Sequence, residues 1–270
     1  MGSNDENANS DDPTVEAAYA ALRSGDPEAA LTKAVRIADA GERALLEVRC
    51  YLDLGMLEAA SGALTRAQEG LGSDDIDVVE LEGEVALDRW DLDTAREAFE
   101  AIAEVAKDGW IWERRALLAD HAGDHERAHE ILEEAAEMDP ERSAPIRVTS
   151  AEFDAIVEAA IRTLKPEFAR HLQNVRIVRE PVPFRELVDP IEISATPPDI
   201  LGLFVGPTIH DLSEGASGEL PPTIFLFQRN LERMAGSTEE LAEEIRVTLF
   251  HEIGHLLGLD EDGVAGLGLA

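Results

Sequence analysis

Two histidines and a glutamate near the C-terminus are the residues of this sequence whose types and spacing can do chemistry. From Phe250 the chain runs His251-Glu252-Ile253-Gly254-His255-Leu256-Leu257-Gly258-Leu259-Asp260-Glu261. Residues four apart on a helix lie one above the other, about 6 Å along the axis. Imidazoles placed that way can share one cation at about 2.0–2.1 Å, the bond length of zinc to nitrogen. Glu252 leans to the same side without facing the ion, where it can take a proton from water at an open coordination position. Zinc brings the pKa of such water to about 7, within reach of a carboxylate base at neutral pH. The spacing therefore predicts a zinc centre with His251 and His255 as ligands and Glu252 as the catalytic base. The plainer expectation, two core histidines held by backbone carbonyls, gives Glu252 no task.

These side chains need a helix that begins well upstream and stops just after them. Ser237 or Thr238 is expected to cap it, with Glu239, Glu240, Glu243 and Glu244 complementing the dipole of its early turns. Leu241, Ile245, Leu249 and Phe250 carry its apolar side into the motif. Gly258 is expected at positive φ, ending the helix and turning the chain back. Before this helix, Arg142–Thr149 reads as a connector. Ser150 is expected to cap a helix over 151–164, and a shorter helix follows Pro166. Val175–Val178, Leu201–Gly206 and Thr223–Phe227 read as strands. The stretch Thr208–Pro222, rich in Gly, Ser and Glu, reads as an irregular loop in which Ile209–Leu220 can act as a lid. Residues 149–270 are thus expected to form a small α+β domain. Its strand Thr223–Phe227 is expected to offer an edge to an extended substrate.

Residues 1–148 follow another pattern. A turn followed by a small apolar residue recurs at Gly25-Asp26-Pro27 with Ala30, Gly55-Met56-Leu57 with Ala60, Trp90-Asp91-Leu92 with Ala95 and Gly123-Asp124-His125 with Ala128. The alanines are 30, 35 and 33 residues apart, close to the period of about 34 typical of paired-helix repeats. Larger apolar residues at helical offsets, such as Leu64, Phe99 and Leu132, let neighbouring helices interlock. An all-α helical-repeat solenoid over 14–148 is expected, after a disordered acidic tail over 1–13. The last unit, with Trp112, Leu117, Ala128, Leu132, Ala135 and Pro140, resembles the tetratricopeptide repeat family, which implies a protein partner on the repeat domain. His121, His125 and His129 invite a metal reading, but no carboxylate or cysteine constellation supports it.

Leu201-Gly202-Leu203-Phe204, Thr223–Phe227, Leu231-Glu232-Arg233 and the terminal motif together resemble the zincin-like, minimal matrix-metalloprotease-like family of bacterial metallopeptidases. The resemblance spans about residues 150–265. It implies an α+β zincin core and zinc-dependent hydrolysis of a peptide or protein substrate, with His251 and His255 as ligands and Glu252 as base. It also implies an acidic third ligand. In the longer metzincin pattern that ligand stands three residues after the glycine, which here is Glu261 in place of the usual histidine; Asp260, one residue earlier, is the alternative. No methionine follows Met234, so the Met-containing turn of the metzincins is absent. His210 is a loop residue that can touch substrate, supply a ligand or simply lie on the surface, and Arg229 and Arg233 can clamp a peptide carboxylate or pair with nearby glutamates.

Composition bounds the rest. The 270 residues suffice for two domains, and 44% hydrophobic with 30% charged residues is the balance of a globular protein. The net charge is −34, a surface that repels nucleic acid and anionic membranes. The single Cys50 forms no internal disulfide and suits a reducing compartment as a small buried residue. The polar start of the chain shows no signal segment, so a cytoplasmic location is expected. The alternative to a zinc peptidase is a non-catalytic interaction scaffold whose zincin core is degenerate or merely binds zinc.

Overall fold

The computed structural model describes residues 13–106, 109–138, 145–164, 166–187, 196–209, 211, 221–259 and 263. The expected tail over 1–13 lies outside them, apart from Pro13. By packing, the chain divides into two compact units, residues 1–115 with 188–197 and residues 116–187 with 198–270. This division falls inside the helix Gly109–His121. A buried ionic cluster, described below, joins Asp120 to residues after 145.

The first unit is a helical array: α1 (Pro13–Arg23), α2 (Pro27–Ala34), α3 (Ala40–Asp53), α4 (Leu57–Leu71), α5 (Ile76–Asp88), α6 (Leu92–Ala106) and the start of α7 (Gly109–His121). Successive helices from α1 to α6 pack on one another. The repeat is visible in backbone detail. At Gly25, Gly55 and Gly123, φ is 77°, 65° and 81°, and each turn closes with the same pair of bonds. At Gly55 the bonds run from Gly55 N–H to Leu52 O (2.8 Å) and from Met56 N–H to Tyr51 O (2.8 Å), a helix stop that glycine enters without steric cost. The third turn puts Trp90 there, at φ 60°, where an L-residue costs about 1–2 kcal/mol. Its buried indole N–H donates to Thr196 O at 3.0 Å. Ala30, Ala60, Ala95 and Ala128 are all completely buried, as the repeating small positions require. Cys50 is buried with Ala18, Ala30, Ala34 and Leu46, and burial pushes its thiol up to about 11, the mark of an inert core cysteine.

The second unit holds the rest of α7, α8 (His125–Met138), α9 (Ser150–Thr163), α10 (Pro166–Ala169), β1 (Arg176–Glu180), β2 (Gly202–Val205), β3 (Thr223–Phe227), α11 (Gln228–Arg233) and α12 (Thr238–Leu256). Thr149, not Ser150, caps α9 through a reciprocal box with Glu152, because its side chain meets Glu152 N–H while that carboxylate returns to Thr149 N–H. The sheet order is β1-β3-β2. β3 pairs parallel with β1 (Ile177 opposite Ile224) and antiparallel with β2 (Phe204 opposite Ile224). Thr223–Phe227 is therefore the central strand and presents no free edge, contrary to expectation. The reason lies in its composition: Thr-Ile-Phe-Leu-Phe is apolar on both faces, the pattern of a strand covered on both sides. Ile224 and Leu226 pack with Phe153 and Val157 of α9 and with Leu241, Ile245 and Leu249 of α12. Among the described residues β1 and β2 are the outer strands, and α12 lies against β2 and β3. No helix among the described residues is long and apolar enough to cross a membrane.

Candidate metal centre

Helix α12 places the motif. Ser237 caps it by accepting from Glu240 N–H at 3.2 Å. Its buried side, Leu241, Ile245, Leu249, Ile253 and Leu256, anchors it in the core, so the histidines' azimuth is fixed by a dozen ångströms of packed helix before them. Three residues after His255, Gly258 stands at φ 84°. Its N–H donates to His255 O (2.9 Å) and Leu259 N–H donates to Gly254 O (3.1 Å), the two bonds of a left-handed helix stop. The expected end of the helix is thereby in place.

The stop has a chemical consequence. It brings Leu259 O within 3.2 Å of His255 Nδ1. With Nδ1–H donating to that carbonyl, the other ring nitrogen, Nε2, keeps its lone pair. That nitrogen lies 3.0 Å from Nε2 of His251, with ring centroids 4.7 Å apart and planes at 78°. Two imidazoles bound to one tetrahedral zinc would have nitrogens roughly 3.3 Å apart. The two nitrogens already lie at nearly that separation, and one ring has its tautomer fixed by an outer partner in the way zinc-binding histidines are oriented. The chain's donor set fits zinc as far as these two ligands go. Among the described residues no three His, Cys, Asp or Glu side chains form a ligand group. Asp260, Glu261 and the loop residue His210 lie outside the described residues, as does most of the expected lid.

Glu252 is 6% exposed and sits beneath the edge strand. A Cβ built on Gly202 of β2 would stand 3.0 Å from Glu252 Oε1 and 2.7 Å from Thr248 Cγ2. Only glycine lets helix and strand approach this closely while leaving room for the carboxylate. Gly202 falls in the expected strand Leu201–Gly206, and a glycine inside a strand pattern is the signal of such a close approach. The base is thus pressed against the backbone of a strand with one neighbouring strand among the described residues.

The histidines of α7 and α8 are occupied elsewhere. His121 Nε2 meets Pro198 O at 3.0 Å, and burial lowers its pKa to about 4. His125 Nδ1 lies 2.9 Å from Asp120 Oδ1, and His129 Nε2 lies 3.4 Å from Glu133 Oε1. Arg229 and Arg233 join a buried cluster that sequence reasoning did not foresee. Arg147 bridges Glu232 (2.9 Å) and Asp120 (3.3 Å), Arg233 reaches Asp120 at 2.9 Å, and Arg229 reaches Glu232 at 2.7 Å. Asp120 and Glu232 have fully buried side chains. Asn230 Nδ2 donates to Pro198 O (3.1 Å) and Ile200 O (2.7 Å), fixing the chain that enters β2.

The C-terminal part thus sets a helix bearing two histidines and an intervening glutamate against a small mixed sheet. Residues 172–269 match the family model of the zincin-like metallopeptidases, a stretch that runs from before β1 to beyond α12 and includes both candidate acids. On that match the C-terminal part of the chain is zincin-like, and it follows an N-terminal helical array. No curated protein matches the chain.

Proposed function

We propose that residues 149–270 hydrolyse peptide bonds with zinc held by His251, His255 and an acid from Glu261 or Asp260. Bound zinc supplies Lewis acidity to a carbonyl and to water. Glu252 takes a proton from the attacking water as its oxygen bonds to the carbonyl carbon, then returns it to the amine nitrogen as the C–N bond breaks. Gly202 keeps that carboxylate against β2. The free edge of β2, in place of the one first expected of β3, offers an extended peptide its main-chain groups. Asn230 and His121 hold the carbonyls of Pro198 and Ile200 that lead into this strand. The helical array selects or presents the protein to be cut, and the protein works in the cytoplasm.

The observation that carries this reading is the convergence of two Nε2 atoms at 3.0 Å beside a buried Glu252. Purified chain is expected to carry about one zinc per molecule, and Glu252→Gln is expected to keep the metal while losing a hundred- to ten-thousandfold, roughly, in cleavage of a peptide library. A Glu252→Gln variant with normal zinc and unchanged cleavage sinks the hydrolase reading by this route. Zinc bound by the parent with no turnover of any peptide leaves the scaffold alternative.

A further inference from the structure

The first unit contains a groove of about 550 Å³ lined by one stretch each of α1, α3, α5 and α7. Its floor is aliphatic, from Leu22, Leu52 and Leu81, and its wall is Trp110, a large side chain left 40% exposed. The guanidinium groups facing it are engaged. Arg49 meets Glu80 at 3.2 Å and Asp77 at 3.4 Å, Arg23 meets Glu16, and Arg114 meets Glu84 at 2.9 Å while covering the Trp110 ring at 3.9 Å. Asp53, in contrast, opens on the groove with no hydrogen bond or ion pair among the described residues. Burial raises its pKa and, more strongly enclosed, that of Glu84, so a cation brought beside either carboxylate would be welcome. Residues 1–148 carry 14 basic and 36 acidic residues, a net charge of −22, and this field draws cations and repels anions.

We infer that this groove docks a partner peptide through an arginine or lysine side chain. The side chain's stem lies on the leucine floor and the Trp110 face, and its head lies beside Asp53. The fit follows from the amphipathic build of those side chains, an apolar stem with a charged tip, and from the affinity of cations for an indole face. An acidic peptide has no such place, because the groove's own carboxylates already occupy Arg49 and Arg114. This inference goes beyond the hydrolytic reading and does not depend on it, since the groove lies wholly in the first unit.

The test uses the full chain and two labelled peptides, one alternating alanine with arginine and one alternating alanine with glutamate, read by fluorescence anisotropy. The arginine peptide is expected to bind and the glutamate peptide not to. Asp53→Lys is expected to weaken binding by about fivefold or more and Trp110→Ala by about tenfold. Glu69→Lys, the same charge reversal on the exposed side of α4, is expected to change it by less than about twofold. Equal binding of the two peptides overturns the inference. So do equal losses in Asp53→Lys and Glu69→Lys, which would reduce the attraction to net charge, and so does failure of the arginine peptide to bind.

Discussion

The molecule contains the same histidine spacing in two regions, and the two sets behave oppositely. His121 and His125 are four residues apart, as are His125 and His129, yet each ring has its own partner: the carbonyl of Pro198, Asp120 and Glu133. His251 and His255 turn to each other. A positive-φ glycine stands beside both sets. Gly123 (φ 81°) falls between His121 and His125, so they belong to two helices and lose the common face that the spacing promises. Gly258 (φ 84°) falls after His255, so that pair keeps one helix and gains a carbonyl for its outer nitrogen. Spacing proposes a metal pair; the position of the helix stop and the partner of the second ring nitrogen decide it.

The sharpest way to break this contrast is to measure bound zinc in alanine variants of both sets. His255→Ala is expected to abolish zinc binding, and His129→Ala to leave about one zinc per chain; loss in both, or in neither, would mean that the two sets do not differ. The next effect is structural. Asp120→Asn removes the buried acid that accepts from Arg147, Arg233 and His125, and leaves guanidinium charge in the interior. A loss of about 3 kcal/mol in denaturant unfolding is expected. A loss under about 0.5 kcal/mol would show that the α7–α8 histidines sit in no load-carrying network.

His121 gives a somewhat smaller effect, readable in pH. Its folded pKa of about 4 lies below the ordinary 6.5 because burial disfavours the charged ring. The unfolded chain therefore takes up a proton that the folded chain refuses. Stability from this residue is complete above pH 6.5 and falls away as pH drops from 6.5 towards 4, by about 2–3 kcal/mol in all. His121→Gln, which keeps a donor for Pro198 O, is expected to flatten that part of the stability profile. An unchanged slope between those pH values would show that the ring is not held neutral.

Much of this was legible beforehand because it is local. The four turns at Gly25, Gly55, Trp90 and Gly123 announce themselves by residue type at fixed intervals, and a helix stop needs only its own few residues to form. The motif helix, its Ser237 cap and its Gly258 stop are local in the same sense. What escaped is what depends on pairing across the chain. Whether Thr223–Phe227 is central or at an edge depends on where β1 and β2 settle, which its own five residues do not state. Asp120 reads as one more acid on a repeat helix, and its partner Arg233 is 113 residues away. Gly202 reads as one residue of a strand, and the carboxylate of Glu252 that needs its missing side chain is fifty residues away.

The finest test of the contrast swaps the two helix stops for alanine. A Cβ at Gly123 would meet nothing within 4 Å, and at Gly258 nothing nearer than Thr208 Oγ1 at 3.9 Å. Neither substitution is a clash, so each should cost only the backbone strain of an L-residue at positive φ, about 1 kcal/mol in unfolding. Their effects on metal should still part. Relaxing Gly258 moves Leu259 O from His255 Nδ1 and frees the ring's tautomer and orientation, a loss of outer-partner support worth about tenfold in zinc affinity. Relaxing Gly123 touches no ligand. Zinc titration of Gly258→Ala and Gly123→Ala against the parent therefore separates conformational cost, equal in both, from ligand positioning, present in one. If the two variants bind zinc alike, the Leu259 carbonyl does not orient His255, and the convergence of the two rings must be held by the packing of α12 alone.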